Sequence, residues 1–362
     1  MLRALYLHNL HKELGARFRR YGGWLLPLFY ESILSEHMYV RISAAIFDLS
    51  YLGRIEVRGK QHKRFLSRHL TRPLDKLPTG KCIYALLLTE KGTIFADCMV
   101  YVLRERCVVS VNPLNTEKVY ARLAGDAPDG VDVKDITEKW LCVSVQGRRS
   151  APILQHLTDM DLSLLKTGFA CEAFCVGGHE IVIARTGYTG EDGFEVLVPP
   201  DGANLLFDSV LQVGTHQHLV PAGIGARFSL RLEACFPLYG MEMDEKTDPL
   251  EADLERFVDW ENDFVGKTGL LKRKEGGVKR LLTPLKIGGP RIARKDNSVF
   301  FRGEFVGRVA RGTFSPVMQQ PIATAFLRPD LSQIGTRLEV AIRGKRYPAV
   351  VARKPFYFVR RR

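Results

Sequence analysis

The segment RTGYTGEDGFEV, Arg185 to Val196, constrains the fold more than any other stretch of this chain. Glycines recur at every third position, Gly187, Gly190 and Gly193, and the acids Glu191, Asp192 and Glu195 sit among and after them. The apolar runs HEIVIAR and FEVLVPP flank or overlap the segment and read as strands. The glycines then belong to a wide hairpin loop, where they supply left-handed or tight backbone. A dinucleotide fingerprint would need G-x-G-x-x-G opening a helix, whereas this spacing is G-x-x-G-x-x-G with a strand behind it. A calcium loop would want a denser run of oxygen ligands. On pattern alone the segment is either a structural hairpin or a ligand-binding loop, and both readings stay open.

The 362 residues allow two or three domains at about 150 residues each. An apolar share of 46% with 26% charged residues is that of a globular protein able to bury a large core. The net charge of +13 favours acidic partners. The basic residues are scattered in short clusters, such as Lys272-Arg273-Lys274 and Arg360-Arg361-Arg362, and no nucleic-acid motif accompanies them. We therefore expect no nucleic-acid partner. No apolar run approaches the roughly 20 residues of a membrane span, so no membrane partner is expected either. The basic N-terminus lacks the apolar core of a signal peptide.

Seven cysteines, an odd count without a CxxC pair, lie mostly inside apolar runs and read as reduced, buried thiols. His216 and His218 in THQHL have no partner cluster, so no metal site is expected. VGKTG at 265–269 lacks the earlier glycine of a phosphate loop, because Glu261 stands there. No G-x-S-x-G nucleophile elbow occurs.

Along the chain, helices are expected over residues 1–22, 31–45, 114–124, 202–213 and 222–235, with another at SAPILQHL capped by Ser150. Strand-like runs include CIYALLLTEKGTIFADCMVYVL, in which Glu90-Lys91-Gly92 forms a hairpin turn, CVVSVN and WLCVSVQG. KRKEGGVKR at 272–280 reads as a linker. After it the texture changes to short strands and turns, which suggests a separate C-terminal β domain. Asp97 stands out because a carboxylate inside the apolar run FADCMVYVL is costly unless paired or functional. Alternation puts it on one face with Phe95 and Met99; a satisfied structural acid and a functional acid are equally compatible with that.

Several blocks, in order, resemble the glycine cleavage aminomethyltransferase (T-protein) family. They are ESILSEHMYVRISAAIFDLSYLGRIEVRG, RTGYTGEDGFEV, GARFSLRLEACFPLYGMEMDEKTDPLEADL and VGRVARGTFSPVMQQPIATAFL. The likeness runs from about residue 6 to 357. It implies an α+β, three-lobed folate-binding fold, with a catalytic region of two intertwined lobes over 1–275 and a C-terminal β-barrel domain over 280–362. It implies an enzyme that takes the aminomethyl group from the lipoyl arm of H-protein, releases ammonia and forms 5,10-methylenetetrahydrofolate, with tetrahydrofolate as co-substrate. Because the likeness begins almost at Met1, a cytoplasmic protein is expected.

By motif, Asp97 matches the acid near the folate nitrogens N5 and N10, and Glu195 matches the acid that grips the amino-pyrimidine edge. Tyr188, Tyr84, Asn112 and Arg227 match further positions of the folate pocket, and Arg294 would face the glutamate tail. Tyr239 lies in a matching block. Three departures stand out: Ala96 where the family commonly has a second acid beside Asp97, Phe228 where an acid usually follows the arginine of GAR, and SYLG where SHMG is frequent. The alternatives are a folate-dependent demethylase of a small methylated substrate, or a non-catalytic folate-binding relative. The latter branch carries a K-G-C-[YF]-x-G-Q-E block, which this chain lacks.

Overall fold

A computed structural model describes residues 2–358. Two sheets face each other around the centre of the molecule. One has six strands, in the order Ala170–Phe174, Glu180–Ala184, Gly193–Val198, Leu141–Gln146, Ala44–Asp48 and Leu219–Pro221. The other has five, in the order Cys82–Leu88, Ile94–Val102, Arg106–Val111, Gly53–Arg58 and Asp132–Asp135. A shared apolar core joins them, with Tyr101 and Val108 of the second sheet meeting Phe47, Cys142 and Leu197 of the first. The strands of that core read as near-continuous apolar runs because both faces are covered.

The third lobe is a closed barrel of six strands running from Leu281–Ile287 to Lys345–Val351. Its core of Val, Leu, Ile and Ala is separate from that of the two sheets, as expected when closure removes every strand edge. The α+β, three-lobed architecture with a C-terminal barrel is therefore the one the sequence implied.

Local differences have identifiable causes. Of the expected helix over 1–22, the described residues 2–22 hold one short helix, His8–Glu13; Arg17–Tyr21 is a strand paired antiparallel with Trp24–Phe29. Gly22 and Gly23 turn this hairpin with φ of 53° and 82°, a two-glycine signal between β-rich runs that outweighs the helical pattern. Ser150 does not cap its helix: Arg149 occupies the cap position, and the Ser150 hydroxyl is buried without a partner. The stretch read as a linker is helical up to Glu275 within Lys267–Glu275, leaving the irregular connection to 276–280. No helix of the described residues is long and apolar enough to cross a membrane.

Candidate functional site

The glycine-rich loop is shaped by a buried amide. Gln146, on the neighbouring strand, has no exposure; its Nε2 donates to Thr186 O and Ser144 Oγ, each at 3.0 Å, and its Oε1 accepts from Thr189 Oγ1 at 3.0 Å. A Cβ at Gly187 or Gly193 would collide with that amide. Gly190 takes φ of +81°, which side chains rarely tolerate. Arg185 and Asp192 close the base of the loop with two bonds, Nε to Oδ1 at 2.9 Å and Nη2 to Oδ2 at 2.6 Å. The loop is thus a hairpin connecting Glu180–Ala184 to Gly193–Val198, and it also presents Tyr188 to a cavity.

That cavity lies between the two sheets and opens to solvent, with about 740 Å³ of space including its mouth. Six of the seven residues singled out from the sequence line it: Tyr84, Asp97, Asn112, Tyr188, Glu195 and Arg227. Arg294 does not. It is exposed in the loop ahead of Ser298–Phe301, where its backbone N–H donates to Asn297 Oδ1 at 2.8 Å.

The five-stranded sheet supplies Asp97. Along Ile94–Val102, Phe95, Asp97 and Met99 share the half-exposed face while Ile94, Ala96, Cys98 and Val100 are buried behind. Burial pushes the Asp97 carboxyl up to about 6, against a hydrogen bond from Tyr84 Oη at 3.2 Å that favours the charge. The facing sheet supplies Glu195. Tyr101 Oη and Thr186 Oγ1 donate to its Oε2 at 2.7 and 2.8 Å, leaving Oε1 without a donor among the described residues. The two carboxylates therefore line one cavity from opposite sheets.

The helix Ile224–Glu233 brings in Arg227. Glu36 Oε2 accepts from Gly223 N at 2.9 Å at the start of this helix, while its Oε1 accepts from Tyr30 N at 2.6 Å, which fixes where the helix begins. Arg227 is buried, its guanidinium 4.9 Å from the centre of the Tyr188 ring. Burial opposes its charge, but Tyr51, Glu195 and Tyr188 around it push the other way and raise its pKa. Tyr188 in turn stacks on Phe236 at 5.5 Å and donates to the Pro237 carbonyl.

Sequence reasoning did not place Tyr21, Tyr51, Tyr101 or Leu238 in the site, and all four line the cavity. The structure gives two of the noted departures a common location. Tyr51, from SYLG, and Phe228 both pack edge-on against Tyr21, at 6.4 and 5.3 Å between ring centres. The carboxylate absent at 228 is replaced by one wall of an aromatic corner. Tyr239 stays outside the cavity lining and accepts from Lys118 Nζ at 2.8 Å.

A family model described as the GCVT N-terminal domain matches residues 7–262, and one described as the glycine cleavage T-protein C-terminal barrel domain matches residues 280–357. The chain belongs to the glycine cleavage T-protein family. It is 38% identical over 356 residues to an aminomethyltransferase of Thermotoga neapolitana, covering 97% of this chain and 96% of that one. It is 37% identical over 360 residues to an aminomethyltransferase of Geobacillus kaustophilus, covering 99% of each. Among solved structures, the glycine cleavage system aminomethyltransferase T of Bartonella henselae superposes with a TM-score of 0.92 at 29% identity, covering 99% of this chain and 98% of that one. The two matched regions of this T-protein divide ahead of the barrel, whose first strand begins at Leu281.

Proposed function

We propose that this T-protein is a tetrahydrofolate-dependent aminomethyltransferase that works on the lipoyl arm of the glycine cleavage H-protein. The observation that carries this reading is the pairing of Asp97 and Glu195 in one cavity, each left with unused hydrogen-bonding capacity. In the overall reaction the S–CH2 and CH2–NH2 bonds break and the carbon becomes bonded to both N5 and N10. The two N–H protons leave on sulfur and ammonia. Tetrahydrofolate, when bound, supplies those two nitrogens as acceptors of the one-carbon unit.

The residues present suit such a ligand. The free Oε1 of Glu195, beside an oxygen already held by two hydroxyls, offers a fixed acceptor edge for paired N–H donors. Arg227 and Tyr188 close the cavity beside it, and Tyr84 and Asn112 bound the opposite wall. Asn112 is oriented for this, since its Nδ2 donates to Tyr21 Oη at 3.1 Å and its Oδ1 accepts from Leu114 N at 3.0 Å. Asp97 provides negative potential where positive charge develops as the C–S bond breaks, and a carboxyl near 6 can also take and return a proton. Arg294, outside the cavity, would meet the tail carboxylates with a fixed fork.

The test is to mix purified protein with aminomethyl-loaded H-protein and tetrahydrofolate and follow 5,10-methylenetetrahydrofolate and ammonia. Stoichiometric formation of both is expected. Folate binding without turnover of the loaded carrier would overturn the assignment and direct attention to small methylated amines as one-carbon donors.

A further inference from the structure

Behind the cavity wall lies a buried ion pair that also meets the barrel. The side chains of Arg231 and Glu242 are 1% and 0% exposed, and Arg231 Nη1 donates to Glu242 Oε1 at 2.6 Å. Such a pair is a weak source of stability, because taking both charges out of water costs much of what their attraction returns. This one also leaves Arg231 Nε buried without a partner. What it does hold is backbone. Arg231 Nη1 donates to Phe236 O at 3.0 Å, and Glu242 Oε2 accepts from Leu238 N at 3.1 Å. Glu242 N donates back to Leu238 O at 3.1 Å. The segment Phe236-Pro237-Leu238 is thus gripped at both ends by one pair of charges.

That segment backs the cavity. Leu238 lines it directly. Tyr188, which the glycine-rich loop presents to the cavity, stacks on Phe236 with its ring plane tilted by 22° and donates to the Pro237 carbonyl. Pro237 has no N–H of its own to anchor it, so its carbonyl is placed by the hold on its two neighbours. The barrel reaches this arrangement through Thr324, on the strand Gln320–Leu327. Thr324 is buried, and its Oγ1 donates to Glu242 Oε1 at 3.2 Å. One carboxylate oxygen therefore receives a guanidinium from the helix Ile224–Glu233 and a hydroxyl from the barrel.

We infer that Glu242 is a positioning residue for the co-substrate pocket: with Arg231 it sets the Phe236–Leu238 wall and, through that wall, the Tyr188 ring, while Thr324 sets Glu242 from the barrel. This rests on the proposed function of the cavity. Arg231, Glu242 and Thr324 are not among the residues that line the cavity, so each acts through another residue. The barrel then shapes the pocket without lending it a side chain.

The experiment titrates tetrahydrofolate by calorimetry into wild type, Thr324→Val, Tyr188→Phe and the double variant, alongside steady-state rates with loaded H-protein. Valine removes the hydroxyl and keeps the shape. Thr324→Val should weaken tetrahydrofolate binding by about three- to tenfold, the span of one hydrogen bond. The KM for tetrahydrofolate should rise with it while the KM for loaded H-protein stays put. Thr324→Ser, which keeps the hydroxyl, should restore the affinity. In the double variant the two losses should fall short of multiplying, because both act through one segment. Glu242→Gln removes the counter-charge of Arg231 and should lose more; if that protein does not fold, the Thr324 variants carry the test. A Thr324→Val protein that melts earlier but binds tetrahydrofolate as wild type does would overturn the inference and leave the pair as a fastening, with the cavity assignment intact. Losses that multiply in the double variant would also overturn it. Absence of binding by wild type would remove the cavity assignment, and the positioning role with it.

Discussion

Two carboxylates, Glu233 buried at the seam between lobes and Asp97 half-buried in the cavity, are treated in opposite ways. Glu233 is saturated. Its Oε2 accepts from His37 Nε2 at 2.9 Å and from Arg41 Nη2 and Nε at 2.9 and 3.2 Å, and its Oε1 accepts from the Ser315 hydroxyl of the barrel. Its backbone oxygen accepts from Phe356 N at 2.9 Å. Burial opposes the charge, but His37, Arg41 and Ser315 together hold the carboxyl below its ordinary value. Asp97 has one hydroxyl partner at 3.2 Å and is pushed up to about 6 by burial. A charge with both oxygens engaged fastens lobes together. A charge left short of partners stores the capacity to meet a ligand.

The widest break in that contrast is Asp97→Asn. Loss of the group should lower kcat by roughly 10²- to 10⁴-fold, the span of a positioned general acid–base group. The same variant should be more stable at pH 7. The folded carboxyl sits at about 6 against an ordinary 3.8, so the fold favours the protonated form and holding the charge at pH 7 costs on the order of 1–3 kcal/mol. The cost grows as pH rises from 3.8 through about 6 and is absent below 3.8. Thermal unfolding at pH 7 and at low pH measures this, and an Asp97→Asn protein that melts earlier at pH 7 would contradict it.

Glu233→Ala should do the reverse: little change in chemistry per folded molecule, but a stability loss of about 3–5 kcal/mol, because His37 and Arg41 lose a buried acceptor. Since the Glu233 carboxyl is held below its ordinary value, its contribution is present above that value and fades as pH falls through the lowered one. Urea unfolding across pH follows both effects. A midpoint unchanged from wild type would show that the seam is fastened elsewhere.

Glu195 lies between these extremes, with one oxygen engaged and one free. Glu195→Gln replaces an acceptor with a donor, and tetrahydrofolate affinity should drop by about 1–3 kcal/mol, or roughly 5- to 150-fold. Calorimetry decides it; unchanged affinity would place the pterin edge elsewhere in the cavity.

How much of this was legible in the sequence depended on whether a signal was local. Asp97 is visible because a carboxylate interrupts an apolar run, and the glycine spacing marks a loop. What the glycines accommodate was not visible, since Gln146 approaches from a strand some 40 residues earlier, as its bond to Thr186 records. Tyr101 supports Glu195 across 94 residues of sequence, and an aromatic in an apolar strand announces only burial. The hairpin at Arg17–Trp24 was misread as helix because short amphipathic strands and helices share apolar content, and only Gly22-Gly23 separates them. The motif-derived Arg294 lies off the cavity because its value depends on where a ligand tail leaves, which no local pattern encodes. Tyr51 and Phe228 look unrelated 177 positions apart, yet both meet Tyr21.

Tyr84→Phe gives the smallest effect and the sharpest reading of the cavity. Its hydroxyl is the one side-chain donor to Asp97 among the described residues, and it favours the charged carboxylate against burial. Removing it should move the acidic limb of the kcat profile upward from about 6, by less than one pH unit if the bond contributes about 1 kcal/mol. Activity at pH 8 should stay near wild type, because Asp97 is ionised there in both proteins. A kcat profile that fell uniformly at all pH values would show that Tyr84 acts on the substrate directly. A limb that moved downward would mean that the hydroxyl had been holding the proton on Asp97, and the contrast with the saturated Glu233 would then rest on burial alone.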